Sequence, residues 1–299
     1  MNTPKYFLFA LFLSAFLTAC GGSSGSSTPQ EDTNTEEDTT TEEDTTTEED
    51  TTAEEDTTTE EDTTTEEDTT TEEDTTAEEQ DPIADIPGLV AHYAFEDNLM
   101  DETGTFAEGQ VTGENPGTEG GSVTYAAGAA EGSTAVAFDG TSGVELAQGL
   151  IGPGAYSISI WLHPDAISQF TTAFYGAATA NSWVSLVPAG PGDAQHTMLW
   201  AGDDQGTGWF DGTFGEQIPT GAWSHLVMTY SEAGELNTYL NGQLAVAHEG
   251  FPNVFSVENA SFHLAINPFP DAPYTGLIDE LRIYNTVLTA EQVATLNGQ

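Results

Sequence analysis

The chain has 299 residues and a formal net charge of −49, from 51 acidic against two basic residues. Such a polyanion is repelled by phosphate backbones, which excludes nucleic acid as a partner and favours divalent cations or cationic surfaces. A single cysteine excludes internal disulfides and a thiolate zinc site. Composition divides the chain into residues 1–19, 20–87 and 88–299. Only the last stretch, about 210 residues, carries enough apolar side chains for a sizeable core.

The first segment opens on a short positive end, Met1 to Lys5, followed by an apolar run from Tyr6 to Leu17. That run is too short to span a bilayer comfortably. It closes on Leu17-Thr18-Ala19-Cys20, then Gly21-Gly22-Ser23-Ser24. This resembles the lipobox of bacterial lipoproteins. The resemblance implies a signal peptide over 1–19, cleavage before Cys20, and a thioether-linked diacylglycerol with an acylated amino terminus on Cys20. Several acyl chains, at about 0.8 kcal/mol per buried methylene, make a firm anchor. Gly and Ser after the cysteine resemble signals for outer-membrane sorting. The expected address is therefore a bacterial cell envelope, lipid-anchored at the outer membrane.

From Glu36 to Ala77 the chain repeats Glu-Glu-Asp-Thr-Thr-Thr, with Ala53 and Ala77 replacing a Thr. Nothing apolar larger than Ala occurs, so burial cannot offset the entropy of ordering. Half the residues are negative and the segment self-repels. Residues 20–87 read as a disordered acidic linker, a stalk that holds a domain away from a membrane. Diffuse calcium retention and O-glycosylation of Asp-Thr-Thr are sharper alternatives for the same repeat.

After Pro87 the pattern becomes short alternating stretches separated by Gly, Asn, Asp and Pro. Leu89 to Phe95 opens it. Tyr156 to His163 puts Tyr156, Ile158, Ile160 and Leu162 on one face. Ser224 to Tyr230 alternates as well. Asn241-Gly242 supplies the positive φ angles of a two-residue hairpin turn between Leu236 and Val246. Only Leu288 to Leu296 reads as helical, with Thr289 as its cap. Many short strands without interleaved helices predict an all-β fold: an antiparallel two-sheet sandwich.

The ordered set of motifs resembles the laminin-G-like type of concanavalin A-like jelly roll over 88–299. The matching pieces are Leu89 to Glu96 with Asp101-Glu102-Thr103-Gly104, Ala137-Phe138-Asp139-Gly140, and Tyr156 to Pro164. They continue with Gly221-Ala222-Trp223-Ser224-His225-Leu226, Asn241-Gly242-Gln243, Gly276 to Asn285 and Leu288-Thr289-Ala290-Glu291.

Alternation from Gly276 to Asn285 places Asp279 with Leu277, Leu281 and Ile283, and Arg282 on the other face. A carboxylate among aliphatic side chains needs a cation or several donors. Lys5 and Arg282 are the only Lys or Arg in the chain, so a bound metal ion is the simplest partner. The resemblance implies a structural Ca2+ that ties the end of the first strand to the last. Its implied ligands are Glu96, Asp97, Asn98, Asp101 and Asp279, a hard-oxygen set of the kind calcium takes.

Trp161 and Trp223 match family strand positions and read as packing residues. Trp183, Trp200 and Trp209 lie in Gly- and Asp-rich surroundings. There they can stack sugar rings, while Asp203 and Asp211 accept sugar hydroxyls. The six histidines are scattered and read as strand residues. Within 88–299 no Glu-x-Asp-x-Glu strand and no Gly-x-Ser-x-Gly elbow occurs, so no catalytic residue is assigned. The expected function is a lipid-anchored surface binding module for carbohydrate or a protein partner, not an enzyme. A non-lectin structural or assembly component of the envelope is the alternative, and a glycan-active hydrolase or lyase a more distant one.

Overall fold

A computed structural model describes residues 82–188, 198–203, 208–213, 218–256 and 259–299. Side chains are described for these except at Met198, Trp200, Asp203 and residues 208–213. The leader, Cys20 and the acidic repeat lie outside the described residues.

The strands in chain order are β1 Leu89–Tyr93, β2 Gln110–Thr112, β3 Thr124–Ala127, β4 Thr134–Asp139, β5 Gly143–Leu146, β6 Tyr156–Pro164, β7 Phe174–Ala177 and β8 Trp183–Val187. They continue as β9 Met198–Asp203, β10 Gly208–Thr213, β11 Ser224–Tyr230, β12 Leu236–Leu240, β13 Gln243–His248, β14 Ser261–Leu264 and β15 Thr275–Tyr284, followed by α1 Ala290–Asn297. An 8-stranded sheet runs β13-β12-β11-β6-β15-β4-β3, with β1 also paired to β15. A 7-stranded sheet runs β10-β9-β8-β7-β14-β5-β2. Every described pairing is antiparallel.

Period-two alternation builds the core between the sheets. Tyr156, Ile158, Ile160 and Leu162 of β6 meet Phe174, Val184, Leu186, Phe262 and Leu264 of the opposite sheet in one buried cluster. Each fully buried side chain of this size contributes about 1.5–3 kcal/mol. The Asn241-Gly242 turn forms as its residues demand, with φ of 49° and 76°. Helix α1 is closed by a reciprocal cap: the Gln292 amide donates to Thr289 Oγ1 (3.3 Å) and the Thr289 amide to Gln292 Oε1 (2.8 Å). Its Leu296 and Val293 pack on Val227, Tyr239 and Tyr284, on the outward face of the 8-stranded sheet.

The alternation expected for β15 is corrected by a bulge. The β15–β6 register shifts between Asp279 and Arg282, and Glu280 has φ 51°. Residues 275–278 pair with β4 and residues 281–284 with β1, so the bulge falls where one neighbour replaces another. Two residues then occupy one pleat position, and the side-chain parity changes. Ile278, Leu281 and Ile283 face the core, whereas Leu277 is half-buried outside it. Asp279 pairs with Trp161, and Arg282 with Ser159 and His92. Asp279 and Arg282 thus share the outward face, contrary to simple alternation.

Candidate functional site

Two regions of the fold gather polar chemistry. The first is the seam at the β15 bulge. Asp279 is 0 % exposed. Its Oδ2 accepts from the Ala129 amide (2.8 Å) and its Oδ1 from the Glu280 amide (2.9 Å). Burial pushes its carboxyl up to about 7; the Ala129 amide opposes this, and the Glu280 and Glu96 carboxylates add to it. Arg282 gives Asp279 no relief. Its Nη2 lies 2.6 Å from Glu280 Oε2, which also sits 2.7 Å from His92 Nε2. Its Nη1 donates to Gln299 Oε1 at 2.9 Å.

The seam residues on the β1 side have separate tasks. Phe95 and Asp97 turn the chain through φ of 57° and 56°. Both Glu96 carboxylate oxygens accept from the Thr134 amide, at 3.2 and 3.1 Å, at the start of β4. The Asp97 side chain is exposed, and its amide donates to Thr134 Oγ1. Asn98 braces its own turn: Oδ1 accepts from the Met100 amide and Nδ2 donates to the Glu96 carbonyl. Asp101 accepts from the amides of His92, Thr103, Thr105 and Phe106 and from the Thr103 hydroxyl. Burial pushes the Asp101 carboxyl up, but these donors outweigh it and hold it below its usual range. Of the five expected calcium ligands, the fold brings Glu96 and Asp279 into one electrostatic neighbourhood and gives Asn98 and Asp101 internal work. Among the described residues, no group of three or more His, Cys, Asp or Glu is arranged to hold a metal ion.

The second region is the outward face of the 7-stranded sheet. Cross-strand register draws a continuous row over it: Gln110, Glu145, His263, Tyr175, Ser185, Trp200 and Asp211. A neighbouring row holds Ser261, Ala177, Trp183, Gly202 and Trp209. Trp183, Trp200, Trp209 and Asp211 therefore occupy register positions on one face, although up to 28 residues separate them in sequence. Asp203 takes the parity of Leu199 and Ala201, which belong to the core, so its register position falls on the other face.

Trp183 is only 4 % exposed and stacks on Tyr175, with centroids 6.0 Å apart. Phe269 stands edge-on to both, at 5.4 Å from Trp183 and 6.3 Å from Tyr175. It is the ring this group shows to solvent, at 37 % exposure. Its loop is built by Asn267: Oδ1 accepts from the Phe269 amide (2.8 Å), while Nδ2 donates to Thr172 Oγ1 (2.6 Å) and Asp271 Oδ2 (3.2 Å). Beside this cluster lies a cleft of about 430 Å³, lined by Tyr175, His263, Ser261, Gln148, Asn259 and Thr179 among others. Burial holds His263 below its ordinary pKa; Glu145, whose Oε1 is 3.8 Å from Nε2, pulls the other way. Glu145 is itself fixed by the Gly117 amide at 2.6 Å. The arrangement offers an apolar ring edge, amide and hydroxyl groups, a neutral imidazole and an anchored carboxylate. Sequence reasoning did not find Phe269 or the His263–Glu145 pair. The Asn267-Pro268-Phe269-Pro270-Asp271 loop was the available signal for Phe269.

A family model described as the concanavalin A-like lectin/glucanases superfamily matches residues 138–294. The chain belongs to that superfamily. Among solved structures, one is domain 4 of AbnA, a GH43 extracellular arabinanase from Geobacillus stearothermophilus, in complex with arabinotriose. The chain is 42 % identical to it, with a TM-score of 0.65, over 70 % of this chain and 98 % of that one. The binding domain of Paraclostridial Mosquitocidal Protein 1 is 15 % identical, with a TM-score of 0.54, over 70 % of this chain and 52 % of that one. The binding domain of botulinum neurotoxin DC, in complex with rat synaptotagmin II, is 16 % identical, with a TM-score of 0.50, over 71 % and 51 % respectively. The chain spans about half the length of these two binding domains, and the likeness to them is one of fold alone. No curated protein matches the chain. The superfamily holds both lectins and glucanases, so membership alone does not separate binding from catalysis.

Proposed function

We propose that this chain is a carbohydrate-binding module that uses the outward face of its 7-stranded sheet. One observation carries the reading: the 42 % identity to an arabinanase domain in complex with arabinotriose, over 98 % of that domain. The geometry of the face supports it. A sugar ring has apolar C–H faces and a rim of hydroxyls. Phe269 offers an apolar surface, and Gln148, Asn259, Thr179 and Ser261 offer the rim its partners. Titration calorimetry with arabinotriose tests the reading. Saturable binding that weakens about tenfold, or ~1.4 kcal/mol, in Phe269→Ala is the expected result. No heat of binding with arabino-oligosaccharides or any other glycan in a broad panel overturns it.

In this reading the domain binds and does not turn over its ligand. A lipid on Cys20 and the acidic repeat hold it off a bacterial outer membrane; radiolabelled palmitate incorporated by the parent but not by Cys20→Ser tests the anchor. A structural Ca2+ belongs to the same reading. It would be held by Glu96 and Asp279 at the β15 bulge, neutralising a buried carboxylate that Arg282 leaves uncompensated. The sixfold or higher coordination that calcium takes then needs carbonyl and water oxygens as well. A calcium-dependent rise in Tm that disappears in Asp279→Ala supports the site, and an unchanged Tm in the parent chain rejects it.

A further inference from the structure

We infer that the saccharide face of this chain selects uncharged glycans and rejects those bearing carboxylate, sulfate or phosphate groups. The inference rests on the carbohydrate reading above and adds the class of ligand. Its basis is the distribution of countercharge. The whole chain has two Lys or Arg residues, Lys5 and Arg282. Lys5 belongs to the amino-terminal leader. Arg282 lies in β15 of the other sheet, is 6 % exposed, and is consumed by Glu280 and Gln299. No stretch of the domain, described or not, contains another Lys or Arg to bring to the cleft.

The remaining source of positive charge there is histidine. Among the described residues, His263 is the imidazole that lines the cleft, and it is buried beneath it. Among the described residues its charged neighbour in reach is Glu145, which is already pinned by the Gly117 amide. The other polar groups of the cleft, Gln148, Asn259, Thr179 and Ser261, are neutral. Asp271 stands on the Phe269 loop, held by Asn267. Asp211 closes the far end of the register row.

A neutral sugar hydroxyl suits this set, because it can donate to a carboxylate and accept from an amide. An anionic substituent cannot donate, and it would lose water with no cation to replace it while approaching Glu145 and Asp271. The discrimination is therefore local. It differs from the general repulsion of a chain with net charge −49, which about 0.5 M salt screens to within a few ångströms.

The test uses the full chain and arabinan modified in two ways to equal extent. Hydroxyethyl ethers add a neutral substituent, and carboxymethyl ethers add a charged one of similar size. Binding is read by affinity electrophoresis and calorimetry in about 0.5 M salt, with a chelator present so that calcium cannot bridge two carboxylates. The expected result is that carboxymethyl arabinan binds about tenfold or more weakly than hydroxyethyl arabinan. Ala180→Lys, an exposed substitution at the edge of the cleft that removes none of these hydrogen-bonding groups, should narrow that difference while leaving unmodified arabinan bound. Equal affinity for the two ethers overturns the inference and leaves the carbohydrate reading intact, as does a gap that closes in high salt. Failure of every glycan, neutral or charged, to bind overturns both.

Discussion

Replacing Asp279 by Asn isolates the electrostatics of the β15 bulge. The folded-state pKa is about 7 against an ordinary 3.8, because burial penalises the charged form. The native state therefore binds this proton more tightly than the unfolded chain does. Its contribution to stability is complete below about pH 4 and is lost as pH rises through about 7. A difference of roughly three units at 1.36 kcal/mol each sets the loss on the order of 4 kcal/mol. Asn cannot ionise, so its stability lacks this slope. Either residue when neutral meets the same two backbone donors, Ala129 and Glu280, so a constant offset between variant and parent is expected. The assay is urea unfolding of parent and Asp279→Asn at several pH values between 4 and 8, with a chelator. The difference between the two chains cancels other titrating groups, including His225, which burial lowers to about 3. The predicted result is that the variant gains on the parent by a few kcal/mol from pH 4 to 8, and that calcium added at pH 8 restores the parent. Parallel curves over that range would refute the claim that this carboxylate is uncompensated.

Other expectations follow from single side chains. Asp101→Ala removes the acceptor of five hydrogen bonds and strands several loop amides, at a cost of about 2–3 kcal/mol in denaturant unfolding. Asn267→Ala frees the loop that presents Phe269; glycan affinity should fall by up to the roughly tenfold loss expected of Phe269→Ala, with the fold retained by circular dichroism. Thr289→Ala breaks the reciprocal cap of α1 and should cost about 1 kcal/mol of stability without touching glycan binding.

Much of the fold was legible because its strands obey one simple rule. Tyr156, Ile158, Ile160 and Leu162 alternate cleanly and form the core as read. Asn241-Gly242 and Thr289 act through local backbone chemistry that sequence carries directly. The bulge at Glu280 was not legible. Large side chains flank it on both parities, so Leu277, Leu281 and Ile283 fit an unbroken strand as well as a broken one. Only the replacement of β4 by β1 along β15 explains the interruption, and that is a long-range fact. The make-up of the outward face of the 7-stranded sheet was partly legible. Trp183, Trp200, Trp209 and Asp211 were singled out by local composition, and the sheet register places them on one face. Phe269 was missed because its ring meets Tyr175 and Trp183 through tertiary packing.

The central claim is the location of the saccharide on the outward face of the 7-stranded sheet. Amide and aromatic chemical-shift mapping during titration with arabinotriose tests it most directly. Saturable shifts clustered on Tyr175, Ser261, His263 and Phe269 are expected, with Trp161 of β6 and Trp223, just before β11, unmoved. Shifts centred on Trp161, Trp223 and His225, with the Phe269 loop silent, would contradict it.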